Sequence, residues 1–199
     1  ALDVGDIVEI EVTPADFKRK VATNAKQNMR NNLLAIERNI ILEEFKNREG
    51  DLITGIVERI SNNNVFINLG KTEALLLPKE QVPTESYKHG DRIKVYIAEV
   101  KEATQGPKII LSRTHPGLLL RLMELEVPEI HDGVVQIKSV AREAGNRSKI
   151  AVHSVDSNVD PVGSCVGGKG TRIKAVVDEL HGERIDVIPW DKDPAIFVA

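Results

Sequence analysis

Residues 163–174 read GSCVGGKGTRIK, a lysine set among glycines with an arginine three residues on, and this grouping suits the binding of phosphate. Two kinds of site have nearly this spelling. A nucleotide-binding P-loop reads G-x-x-x-x-G-K-[ST]. Gly163, Gly168 and Lys169 fill its first seven positions, but the eighth, where a hydroxyl holds the metal, is Gly170. A P-loop also leaves a buried strand directly, whereas here the nearest expected strand ends near His153 and the polar stretch SVDSNVDP intervenes. An apolar run ending in a magnesium-binding aspartate is missing too, since the candidate near Asp191 is interrupted by Pro189. The other site is a G-x-x-G loop, Gly167-Gly168-Lys169-Gly170, set between two helices and gripping the sugar-phosphate chain of RNA. Glycines let that chain approach the main chain closely, while Lys169 and the first free N–H groups of the next helix face phosphate oxygens. Arg172 adds a second cation. Such contacts hold a backbone without reading its sequence. Base preference then falls to the groove beside the loop, walled by Ile173 and by the strand around Ile185 and Val187. A lone G-x-x-G is a weak signal, and its setting between helices after a hairpin is what selects RNA over nucleotide hydrolysis.

The elements that position this loop follow from the pattern. LLLRLMELEV predicts a short apolar helix stopped at Pro128. VVQIKSVA and SKIAVHSV predict a hairpin around Glu143-Ala144-Gly145-Asn146. PVGSCV and TRIKAVVDEL are the helices flanking the loop, and ERIDVIPW is the last strand. In the second helix Ile173, Val176, Val177 and Leu180 recur at i, i+3, i+4 and i+7, the spacing of a helix lying on a sheet.

Upstream the grammar differs. Thr13-Pro14-Ala15-Asp16 predicts a helix start after a strand at 7–12, and Phe17, Val21, Ala25, Met29, Leu33, Ile36 and Ile40 draw one apolar stripe along a helix reaching about residue 48. Either the stripe packs within a domain whose other half lies outside this chain, or it binds a partner. From Glu49-Gly50-Asp51 to Arg113, DLITGIVERI, NVFINLG, TEALLL, DRIKVYIAEV and KIILSRT predict five short strands, which suggests a small OB-type barrel. In NVFINLG, Val65, Ile67 and Leu69 share one face, and Phe66 and Asn68 share the other. An outward Phe66 with Lys79, Arg92 or Arg113 nearby would stack a base and attract its backbone; alternatively Phe66 covers an edge or docks on the neighbouring domain.

G-x-V at Gly55 and Val57, VFINLG, EALLLP and IILSR resemble the RNA-binding OB repeat first described in a small-subunit ribosomal protein. Together with SRTHPGLL, IKSVAREAGNRSKIAV, VDPVGSCVGGKGTRI and GERIDVIPW in this order, and with GDIVEIEVTPADF and AKQNMRNN upstream, the whole chain resembles the NusA family of bacterial transcription elongation factors. Phe17-Lys18-Arg19-Lys20-Val21-Ala22 departs from that family's pattern. The resemblance implies an α+β multidomain protein. Residues 1–48 would be the end of a polymerase-binding domain, residues 49–114 an OB-type RNA-binding barrel, and residues 115–199 a KH domain of type II order, helix-strand-strand-helix-helix-strand. It also implies RNA polymerase, nascent single-stranded RNA and other elongation or antitermination factors as partners, and a role in pausing, termination and antitermination. The chain starts without methionine and its end, DPAIFVA, resembles the opening of a second KH module, so a segment of a longer protein is expected.

No catalytic or metal-binding motif stands out in the chain. The chain has 199 residues, 41% of them hydrophobic, enough for small cores but without the roughly 18-residue apolar run that a membrane helix needs. A net charge of −3 means that RNA binding must use local patches. His89, His115, His131, His153 and His181 are scattered, so no metal site, catalytic residue or cofactor is expected. The single Cys165 has small or apolar neighbours and reads as a packed thiol in a reducing, cytoplasmic setting. Monomeric behaviour is expected. The competing readings are an RNA-binding accessory of an RNA-processing complex and a protein-interaction scaffold without RNA binding.

Overall fold

A computed structural model of the protein describes residues 19–103 and 106–198. The expected helix start at Thr13-Asp16 and the strand at 7–12 lie outside the described residues. Helix α1 (Arg19–Lys46) ends by inserting Phe45 into the barrel, where it is 1% exposed with Ile41 and Leu42 packed beside it. The stripe further up the helix stays in solvent, with Met29 69% and Leu33 68% exposed.

Five strands follow: β1 (Leu52–Ser61), β2 (Asn64–Asn68), β3 (Glu73–Leu76), β4 (Arg92–Lys101) and β5 (Lys108–Ser112). They close into a barrel in the order β1-β2-β3-β5-β4, with β3 and β5 parallel and the other neighbours antiparallel. Period-two alternation sends Val57, Val65, Ile67, Leu76, Val95 and Leu111 inward, all of them buried. The alternation is interrupted once on β1. Val57 faces Ile67 and Arg59 faces Phe66, so Glu58 is an extra residue, a β-bulge.

The second unit comprises α2 (Pro116–Glu126), α3 (Pro128–His131), β6 (Val135–Glu143), β7 (Arg147–Ser154), α4 (Pro161–Val166), α5 (Thr171–Glu179) and β8 (Arg184–Pro189), after which comes α6 (Pro194–Val198). Each predicted element of this unit is present. The sheet runs β6-β7-β8, with the hairpin antiparallel and β8 parallel to β7. Val176 and Leu180 of the α5 stripe are buried on this sheet's core with Leu118, Leu122, Ile150 and Cys165.

A buried carboxylate ties the hairpin to the last strand. Glu183 accepts from Arg142 Nε and Nη2, each at 2.9 Å, from Ser148 Oγ at 2.6 Å and from the Gly145 N–H at 2.9 Å. Burial alone would raise its pKa, but these donors outweigh that and hold it below the ordinary 4.5. The linked stability is therefore present above about pH 4.5 and is lost as pH falls through the depressed value. Urea midpoints of wild type and Glu183→Gln should differ clearly at pH 7 and draw together as the pH falls below 4.5. A gap unchanged by acid would contradict this assignment.

The two units are joined tightly. Tyr96 of β4 stacks on His115 with ring centroids 4.6 Å apart, and His115 Nδ1 accepts from the Gly117 N–H to cap α2. Gly117 lies so close to the Tyr96 ring that a Cβ there would meet it at 2.5 Å, which excludes a side chain. Lys94 pairs with Glu179 of α5 at 3.0 Å, and Arg121 of α2 donates to the Gly50 carbonyl at 2.8 Å. Among the described residues no helix is long and apolar enough to cross a membrane.

Candidate nucleic-acid interface

Asp160 caps α4 by accepting from the Val162 N–H, and Pro161 stands in the first turn, so DPVGSC starts a helix for local reasons. The chain then reverses through Gly167 (φ +74°), Lys169 (φ +56°) and Gly170 (φ +76°) and enters α5. The loop therefore joins two helices and does not leave a strand, which is the geometry expected of a backbone clamp. Gly168 and Lys169 are exposed, and a Cβ on Gly168 would meet nothing within 4 Å, so another chain can come up against this peptide. Gly167 differs. A Cβ there would sit 2.8 Å from Arg172 Cγ, so that side chain lies along the loop.

Arg172 is less free than the sequence suggests. Its Nη1 donates to both Glu129 oxygens, at 3.1 and 2.9 Å, and to the Ser164 carbonyl at 2.7 Å. The carboxyl of Glu129 is held below its usual range, first by the hydrogen bond from its own N–H and then by Arg172. Arg172 thus braces the loop against α3 and α4, and Lys169 supplies the loop's exposed charge. Ile173, Ile185 and Val187 are half-buried, each packing partly on the core. Cys165 is fully buried, and burial, with Glu129 adding to it, pushes its thiol up to about 11, which leaves it protonated and unreactive at neutral pH.

On the barrel, Phe66 and Asn68 lie on the outer face of β2, as the alternation predicts. Asn68 and exposed Arg92 line a groove of about 530 Å³ with Gly55, Leu69 and His89, and Asn68 Oδ1 accepts from the Gly70 N–H at 2.7 Å. Lys79 is exposed on the turn after β3, 3.6 Å from Glu80. Arg113 requires a correction, because it is not on this face. It is 0% exposed and its guanidinium pairs with Glu85, donating also to the carbonyls of Lys94 at 2.7 Å and Glu179 at 3.1 Å. Burial works against its charge, but the hydrogen bond and charge of Glu85 prevail and hold its pKa above the ordinary value. Arg113 is a joint between barrel and α5. Alternation also misses Arg59, which the bulge turns outward until its guanidinium carbon stands 3.7 Å above the Phe66 ring.

An outer-face aromatic on a closed barrel, followed at once by a helix-glycine-helix loop on a three-stranded sheet, is the architecture of an S1-type barrel joined to a KH domain. Residues 46–113 match the S1 RNA binding domain, and residues 113–190 match the NusA-like first KH domain. The chain belongs to the NusA family. It is 59% identical to the transcription termination/antitermination protein NusA of Bacillus subtilis over 98% of this chain and 53% of that protein. The NusA of Halalkalibacterium halodurans is 57% identical over 99% of this chain and 52% of that protein, and that of Thermus thermophilus 46% identical over 99% and 51%. The chain thus spans about half the length of the curated relatives it matches.

Proposed function

We propose that this chain is the RNA-gripping segment of a non-catalytic, cytoplasmic transcription termination and antitermination factor. In it the barrel, residues 49–114, and the KH unit, residues 115–199, hold nascent single-stranded RNA beside RNA polymerase, with other elongation or antitermination factors as further partners. Residues 1–48 belong to a polymerase-binding domain, and the exposed stripe on α1 supports this reading, because Met29, Leu33, Ile36 and Ile40 need cover. The observation that carries the proposal is the Gly167–Gly170 loop, whose exposed Gly168 and Lys169 present open backbone and a cation between two helices. Two weak modules held in fixed relation gain effective concentration once one engages the strand, which lets a chain of net charge −3 bind RNA presented by the polymerase. Adding a single-stranded RNA of about a dozen nucleotides to the isotope-labelled chain should shift the amide signals of Gly167 to Gly170 and of Phe66 and Asn68. Shifts confined to other surfaces would sink the assignment.

A further inference from the structure

The outer face of β2 is not a bare aromatic. Strict alternation along β1 would send Arg59 inward after Gly55 and Val57, but the extra residue at Glu58 reverses it and sets Arg59 directly across from Phe66. The guanidinium carbon lies 3.7 Å from the ring centroid, the separation of two stacked planes. Its edge is engaged as well. Nε donates to Glu73 Oε1 and Nη2 to Glu73 Oε2, both at 3.0 Å, a fork-to-fork pair that fixes the plane of the guanidinium. Ring below and carboxylate at the side leave one direction open, and the Arg59 side chain is 54% exposed.

We propose that the barrel stacks a nucleobase on the outer face of the Arg59 guanidinium, with Phe66 as the layer beneath and Glu73 as the brace. This rests on the RNA-binding reading of the barrel and deepens it. A base reaching the Phe66 ring itself would have to break the two-hydrogen-bond pair and the ring contact together. A base adding to the stack breaks neither. Bases stack well on arginine planes, and a plane already ordered by Glu73 costs little further side-chain entropy on binding. Arg59 is exposed and its carboxylate partner lies at the surface, so its replacement leaves the fold intact.

The test is an anisotropy titration of a labelled single-stranded dodecamer against the full chain at two salt concentrations. The proteins compared are wild type, Arg59→Ala, Arg59→Lys, Glu73→Gln and Phe66→Ala. Arg59→Ala should weaken binding about tenfold, within the range for losing one stacked base. Arg59→Lys should weaken it several-fold while the salt slope stays that of wild type, since the charge is kept and the plane is lost. Glu73→Gln should also weaken it, although removing a negative charge would by electrostatics alone tighten RNA binding. Tighter binding by Arg59→Ala or Glu73→Gln would overturn the proposal and make Arg59 a lid that the base displaces. Wild-type affinity for Arg59→Lys would reduce the residue to a charge, and weakened binding by Phe66→Ala with none for Arg59→Ala would put the base on the ring. If wild type binds and even Phe66→Ala changes nothing, the RNA-binding reading of the barrel falls and takes this proposal with it.

Discussion

Arg113→Met should destabilise the chain by about 3–5 kcal/mol, the cost of leaving one member of a buried ion pair without its partner. The side chains of Arg113 and Glu85 are 1% and 2% exposed, so water cannot replace what is removed. Tyr87 donates to Glu85 Oε2 at 2.8 Å, and His181 stands 3.3 Å from Oε1, but neither supplies a fixed positive charge. The Lys94 and Glu179 carbonyls lose a donor in the same step. Because those carbonyls belong to the barrel and to α5, the joint between the two modules should loosen as well as the fold. Denaturant unfolding measures the first effect, and protection of the α5 amides from hydrogen exchange relative to those of the barrel measures the second. A midpoint within experimental error of wild type would mean that the pair is not the lock described.

The second large effect is on binding. Changing Gly168 and Lys169 together to aspartate should weaken RNA affinity by on the order of tenfold or more, because the loop's exposed cation becomes an anion and a second anion stands beside it. The fold should be unaffected. Gly168 has open space at its Cβ and its φ is not positive, and Lys169 already occupies the left-handed region, which aspartate enters more readily than lysine. Gly167 and Gly170, whose positive φ values set the turn, are kept. Removing one cation from a phosphate should lower the salt slope by about 0.7 for single-stranded RNA. A weakened affinity with an unchanged slope would point to a conformational effect instead.

Much of the architecture was legible because its signals are local. Alternation in NVFINLG, the turn residues between strands and the i, i+3, i+4, i+7 stripe of α5 each act within a few residues, and the strands and helices form where these signals fall. The glycine loop was legible for the same reason. Arg113 was not. KIILSRT offers an arginine just past a strand end, which reads as exposed, and its burial depends on Glu85, 28 residues earlier, and Glu179, 66 residues later. The bracing of Arg172 was hidden similarly, since its carboxylate partner Glu129 lies 43 residues upstream. Arg59 was hidden differently. The bulge at Glu58 has no glycine or proline to mark it, so the period of two, followed faithfully, puts the side chain on the wrong face.

The proposed RNA clamp is the loop Gly167–Gly170. Its most direct test is titration of a labelled single-stranded RNA of about a dozen nucleotides with wild type and with the Gly168→Asp, Lys169→Asp double variant, at two salt concentrations. A clamp at this loop predicts that the variant loses most of the affinity and that its salt slope falls, with an unchanged thermal midpoint. Equal affinity and equal slope for the two proteins would contradict it, leaving the loop a turn between helices and moving any RNA binding to the face of the barrel.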